Sequence, residues 1–289
     1  MRRTTEDKIQ GIQWTLTSML DDLDYADDIG LLASKHQDIQ QKTQQLVQTA
    51  NTIGLRVNIE KTKVLRKNIR ADNPITIKDQ PLQELDDFTY LGSKVSTDGD
   101  CIGEVITRIS KDNHTFTMLK PIWKTRNLSI HTKIHIFKSN VLSVLLYGSE
   151  CWKSTANIEK RLEVFQTKCL LRIMRIFWPN MISNEELRRR AGVSTISEII
   201  ATRRWQWLGH VCRIPIDSIP RVALRWTPQG KRNRGRPKET WRRTVDRDLK
   251  TRGLTLQTAP TIAADKAKWR SLAVASSTRR RREDIYIYI

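Results

Sequence analysis

The hydrophobic pattern changes character near residue 100. Before it, apolar positions come mostly in short alternating runs. In Asp22-Leu23-Asp24-Tyr25-Ala26-Asp27-Asp28-Ile29-Gly30-Leu31-Leu32, apolar residues flank an acidic centre, which predicts strand–turn–strand with the acids at the tip. Residues 36–53 predict one helix: Ile39, Leu46, Val47, Ala50 and Ile53 share a face, Ser34 is the candidate N-cap and Gly54 the stop. Leu55, Val57 and Ile59 then alternate as in a half-buried strand, and residues 62–65 give a second short one. Residues 75–77 and 88–91 bracket a turn around Asp79-Gln80-Pro81, predicting a hairpin. From Ile102 onward the period is helical. Ile134, Phe137, Val141, Leu142 and Leu145 recur at helical spacing, as do Ile158, Leu162, Phe165, Cys169, Ile173 and Ile176. Residues 185–211 read as two helices parted near Gly192, residues 238–251 as another, and a last one centres on Trp269. Strands followed by helices predict an α+β fold.

Composition narrows the partner. Of 289 residues, 51 are Lys or Arg against 31 Asp or Glu, a net charge of +20, and the isoelectric point is near 10.1. Such a balance favours a polyanion, most simply nucleic acid, through phosphate neutralisation and counterion release. A ribosome-associated or membrane-surface protein has the same balance. The four cysteines, Cys101, Cys151, Cys169 and Cys212, form no Cys-X-X-Cys pair, which argues against a disulfide framework and a zinc knuckle. His131 and His135 share helical spacing but have no further ligands nearby in sequence, and read as surface or packing residues. No stretch reaches the length of a membrane span and the N-terminus has no signal-like apolar core. The expected setting is reducing and intracellular, with nucleus and cytoplasm both open.

The acidic run carries the candidate chemistry. Mg²⁺ takes oxygen ligands and is usually held by one or two carboxylates plus substrate phosphates. Two such ions, roughly 3.5–4 Å apart, clamp both oxygens of an in-line phosphoryl displacement. A solvated acidic turn is the plain alternative. Context favours the metal: Tyr25-Ala26-Asp27-Asp28 resembles the metal-binding hairpin of reverse transcriptases. Gly54-Leu55-Arg56-Val57-Asn58-Ile59-Glu60-Lys61-Thr62-Lys63-Val64-Leu65 and Phe88-Thr89-Tyr90-Leu91-Gly92-Ser93 resemble the next two palm motifs of the non-LTR retrotransposon enzymes, in order. Ser143-Val144-Leu145-Leu146-Tyr147-Gly148-Ser149-Glu150-Cys151-Trp152 and Trp207-Leu208-Gly209-His210-Val211 resemble the region after the palm. The resemblance spans about residues 9 to 272.

The resemblance implies an RNA-directed DNA polymerase segment. A partial palm (residues 1–98, a small antiparallel sheet plus a helix) precedes a helical thumb-like region (99–182), a basic helical C-terminal region (183–278) and a tail (279–289). It implies Asp27 and Asp28 as the metal and catalytic carboxylates, with Mg²⁺ as cofactor. Lys61 would neutralise or protonate leaving pyrophosphate; a surface lysine in a turn is the alternative. Tyr25 would lie near the primer end, and Phe88, Tyr90, Leu91 and Gly92 would form a primer-grip-like hairpin. The family also uses an earlier palm Asp and fingers that do not fit before Ile9. The chain therefore resembles the C-terminal part of a longer polyprotein, and the upstream part is an expected partner beside RNA and DNA. Alone, the chain is expected to be inactive.

Further nucleic-acid candidates lie downstream. Lys160, Arg161, Lys168, Arg172 and Arg175 fall largely off the apolar stripe of their helix, where a thumb would grip a duplex; an ordinary solvated face has the same pattern. Arg204 and Trp205, in Arg203-Arg204-Trp205-Gln206-Trp207, suit phosphate binding and base stacking, or equally a core Trp with charged neighbours. Arg232, Arg234 and Arg236 lie in a basic loop resembling an AT-hook core (Arg234-Gly235-Arg236-Pro237), suited to a narrow minor groove. A noncatalytic, basic nucleic-acid-binding protein derived from such an element is the second class of function left open.

Overall fold

The computed structural model describes residues 10–67, 73–99, 101–180, 182–227 and 239–279. The fold is α+β: short hairpins first, helices after. The chain divides into two compact units, Met1–Asp100 with Val222–Arg234, and Cys101–Arg221 with Gly235–Ile289.

The first unit is built from two-stranded pairings around one helix. β1 (Ile12–Gln13) pairs with β2 (Met19–Leu20), and β3 (Asp22–Tyr25) with β4 (Asp28–Leu31), both antiparallel. Helix α1 (His36–Thr52) forms where expected, and Ile39 and Val47 of its apolar stripe pack on the small core, but Ile53 is exposed and the buried positions are Lys42 and Thr43. Its N-cap is Lys35 rather than Ser34, with no side-chain cap bond. It ends as expected: Gly54 takes φ +76°, and Leu55 N–H donates to Ala50 O at 2.9 Å. β5 (Lys63–Val64) pairs in parallel with β8 (Gln83–Glu84), β6 (Thr76–Ile77) pairs with β7 (Gln80–Pro81), and β9 (Asp87–Tyr90) with β10 (Ser93–Ser96).

Two expectations are corrected here. Residues 75–77 and 88–91 belong to different hairpins, because each is closed by its own two-residue turn. Lys78 and Asp79 have φ of 49° and 63°, and Leu91 and Gly92 have 47° and 75°. Positive φ at both central positions matches strand twist and closes a tight hairpin at once. Residues 55–58 form no strand; Val57 and Ile59 instead pack half-buried against Ile75, Ile77 and Leu82. Gln40 joins α1 to this small core by bonding both backbone groups of Thr76 at 2.9 Å. Farther along the chain, Trp226 returns to this unit: its ring lies 5.3 Å from Trp14 and its Nε1–H donates to Gln13 O at 2.8 Å.

The second unit is helical throughout its described residues. α2 (Ile102–Met118) and α3 (Lys120–Lys124) precede α4 (Ile130–Phe137), which runs through a π-helical turn, Lys138–Leu142, into α5 (Ser143–Leu145). α6 (Ala156–Met174), α7 (Asn184–Ala191) and α8 (Ile196–Arg213) complete one core. That core buries Val105, Phe137, Leu145, Leu162, Leu170 and Ile200 among others. The helix starts are written locally: Ser129, Thr155 and Ser183 each accept an N-terminal N–H, and Thr195 with Glu198 forms a capping box. α9 (Ile219–Ala223), α10 (Trp241–Lys250), α11 (Ala259–Ala264) and α12 (Lys266–Arg279) follow.

The contact between α8 and α12 is a tryptophan lock. Trp205 and Trp269 stack with ring centroids 4.1 Å apart and planes 5° apart. Each indole Nε1–H donates to the other residue's carbonyl at 3.0 Å. Gly209 makes this possible, since a Cβ there would sit 2.2 Å from Trp269 Nε1. The glycine of Trp207-Leu208-Gly209-His210-Val211 thus serves a close approach, which outweighs the ~1 kcal/mol that glycine costs within a helix.

Candidate acidic hairpin and nucleic-acid interface

The register of β3 and β4 decides which side chains can act together. Leu23, Tyr25, Asp28 and Gly30 share one face, and Asp22, Asp24, Ile29 and Leu31 the other. Ala26 and Asp27 form the two-residue turn, with Ala26 at φ 55°. Tyr25, Asp27 and Asp28 are exposed at the tip, Tyr25 at 67%. The base of the hairpin is held by Lys42 of α1, buried at 2%. Its Nζ–H groups donate to Asp21 Oδ1 at 2.6 Å, Asp21 O at 3.2 Å and Leu32 O at 2.7 Å. One cation thereby satisfies a carboxylate and two carbonyls where the strands enter and leave.

The second hairpin, β9–β10, meets this acidic one. Tyr90 O–H donates to Leu23 O at 3.2 Å, and the missing side chain at Gly30 leaves room for its ring. Tyr90 therefore lies on the face that carries Asp28. Burial holds its phenol above the usual range, and the negative charges of Asp28 and Asp24 add to this. Phe88 packs edge-on to Tyr90 at 6.5 Å, and Leu91 and Gly92 form the turn. Asp22 also holds its proton more tightly than usual, through burial first and then through Asp24 and Asp21, with Lys42 opposing. The acids repel one another as much as they concentrate charge.

Asp27 and Asp28 have the oxygen donors that Mg²⁺ prefers. Among the described residues, however, no group of three His, Cys, Asp or Glu side chains could hold a metal. The residues present fit part of a metal site and not a complete two-ion clamp. Lys61 sits in the turn at 59–61, exposed, its backbone N–H accepted by Asn58 Oδ1 at 3.1 Å. Its side chain forms no hydrogen bond or ion pair among the described residues, so nothing ties it to the acidic tip.

Downstream, the expected contacts divide. Arg172 is exposed near the end of α6. Arg204 and Trp205 are corrections: they are 3% and 2% exposed and point inward. Arg204 pairs with Asp248 of α10, Nε to Oδ2 at 2.8 Å, and donates to Ser154 Oγ at 2.9 Å. Trp205 lies between Trp269 and the Arg252 guanidinium, whose carbon is 4.1 Å from the ring centroid. Both residues hold helices together and are not available to phosphate or base. Arg232, Arg234 and Arg236 lie outside the described residues.

Comparison with known proteins gives a coarse placement. Residues 115–147, from the end of α2 to just past α5, match a domain of unknown function, DUF6451. The chain is 25% identical over 280 residues to a transposon-derived protein of Caenorhabditis elegans that is itself uncharacterized, covering 90% of this chain and 97% of the relative. The likeness supports a transposable-element origin. Among the described residues no helix is long and apolar enough to cross a membrane.

Two structural determinants, Lys42 and Asp112, were not singled out from sequence, and a third, Trp269, was read only as the centre of a helix. Lys42 reads as one more charged residue on a polar helix; only the fold brings Asp21 and Leu32 to it. Trp269 lies 64 residues from its partner Trp205. Asp112 is fully buried in α2 with neither carboxylate oxygen hydrogen-bonded, and burial pushes its carboxyl up to about 7 against the opposing charge of Arg108.

Proposed function

We propose that the chain is a reverse-transcriptase-like segment of a non-LTR retrotransposon that binds primer–template nucleic acid and does not extend a primer by itself. One observation carries the reading: Tyr90 of the β9–β10 hairpin packs on the Asp28-bearing face of the acidic hairpin. Two motifs that resemble separate palm elements, with the Gly54–Leu65 motif between them in the chain, supply residues 67 apart in sequence, yet they meet at one surface. The transposon-derived relative agrees with this origin.

In this reading Asp27 and Asp28 would hold Mg²⁺, which would supply charge neutralisation at the phosphates. The chain's own residues orient the surface. Lys42 fixes the hairpin base, Gly30 admits Tyr90, and the turn at Leu91-Gly92 holds Phe88 and Tyr90 beside the acids. The incomplete donor set is why no synthesis is expected from these residues alone.

The test is a primer-extension assay on an RNA template with Mg²⁺, paired with a binding measurement on the same primer–template. Binding without extension is expected. Extension that disappears in Asp27→Asn would contradict the incomplete-site part. No binding at all would contradict the whole reading.

A further inference from the structure

The end of α6 presents two large aromatic side chains to solvent. The helix stops at Arg175, in the left-handed region at φ 56°, with Ile176 N–H donating to Leu171 O at 3.0 Å. Ile176 and Ile182 both pack against the core. Residues 177–180 turn outward, and Asn180 N–H donates to Phe177 O at 2.9 Å. Phe177 is left 62% exposed and Trp178 87% exposed. Leaving this much aromatic surface in water forfeits the gain of burying it, which only a partner recovers.

The surroundings say what kind of partner. Residues 113–133 and 164–182 contain no Asp or Glu. The fold sets them side by side: α3 contacts α6, and Arg175 donates to Lys124 O. Lys124, Arg126, Lys168, Arg172 and Arg175 are all exposed, and none forms an ion pair among the described residues. Uncompensated cations beside exposed aromatic rings match a strand with both phosphates and accessible base faces. Bases in a duplex are stacked on each other and cannot reach such rings. A second copy of a chain with net charge +20 would be repelled here.

We propose that Phe177 and Trp178, rimmed by Lys124, Arg126, Arg172 and Arg175, form a stacking site for single-stranded nucleic acid. The inference rests on the nucleic-acid reading above and adds a separate site with a strand preference. Each stacked base is worth roughly 5- to 150-fold in affinity, so loss of both rings lowers affinity by about 30-fold or more.

The experiment measures binding of the full chain to a fluorescent single-stranded oligonucleotide and to the matching duplex. Phe177→Ala with Trp178→Ala should weaken single-strand binding about 30-fold or more and leave duplex binding within about twofold, with an unchanged salt slope. Trp178→Phe should restore most of the affinity. Arg172→Ala with Lys124→Ala should instead shrink the single-strand salt slope by about 1.4, if each meets one phosphate. The variants change exposed residues, and an unaltered thermal transition checks their folding. Equal single-strand affinity in the double aromatic variant overturns this proposal and leaves the nucleic-acid reading standing. Equal losses on single strand and duplex overturn the strand preference and with it the stacking site. A parent that binds neither form overturns both readings. A parent that dimerises through Phe177 and Trp178 in sedimentation assigns the patch to self-association and overturns the stacking site.

Discussion

The two units solve the problem of stability in opposite ways. The helical unit owns a contiguous core, from Val105 to Ile200, and a reciprocal tryptophan lock. Among its described residues, the hairpin unit has a small apolar cluster of Ile75, Ile77 and Leu82 with half-buried neighbours. It relies on tight turns and on polar clamps: Lys42 at the acidic hairpin and Gln40 at β6. Burial of apolar area is non-directional and tolerates drift, whereas a hydrogen-bonded cation in a protein interior does not. The acidic tip is thus placed by a few exacting contacts, while the aromatic patch at 177–178 stands on a broad, forgiving base.

The comparison breaks most visibly at Gly209. A methyl group there overlaps Trp269, so Gly209→Ala should expel the indole and forfeit both reciprocal hydrogen bonds. The expected loss is about 3–5 kcal/mol, that of deleting a buried Trp, read by chemical denaturation. A loss below about 1 kcal/mol would mean that the lock contributes little.

A second test exploits the buried carboxyl of the same unit. In the fold Asp112 keeps its proton up to about pH 7, and in the unfolded chain only to its ordinary 3.8. The folded value is the raised one, so this group favours folding fully below about pH 4 and loses that advantage as pH rises through 7. Asp112→Asn is neutral throughout and removes the loss. At pH 8 the variant should exceed the parent by up to about 4 kcal/mol, and the two should converge near pH 4. Parallel stability curves would refute the assignment.

The hairpin unit should respond at its clamp. Lys42→Met leaves the Asp21 carboxylate and two carbonyls without their donor, at a cost of about 2–3 kcal/mol because Asp21 keeps some solvent contact. Faster amide hydrogen exchange confined to residues 20–52 is the expected readout. Unchanged exchange there would show that the hairpin does not depend on Lys42.

These tests also mark what could be read from the chain itself. The helices were legible because their apolar stripes are long, and Gly192 parts α7 from α8; the caps at Ser129, Thr155 and Ser183 emerge only with the fold. The α+β class followed from the same change of period. Strand partners were less legible, since residues 75–77 could pair with either following run until Lys78-Asp79 and Leu91-Gly92 each closed a separate turn. Arg204 and Trp205 carry an ambiguity that spacing cannot remove. Arg and Trp at helical spacing suit a nucleic-acid face or a core, and the deciding partners, Asp248 and Trp269, are 44 and 64 residues away. At the candidate site, the acidic hairpin and the Phe88–Gly92 turn were each visible as motifs. Their meeting through Tyr90 depends on a three-dimensional register.

The proposed handling of nucleic acid by this basic, transposon-related chain stands or falls on the affinity of the whole chain for a DNA duplex across a range of salt concentrations. If about six phosphates are neutralised, log K should fall linearly with log salt at a slope near −5. A flat dependence, or no binding at low salt, would contradict the account.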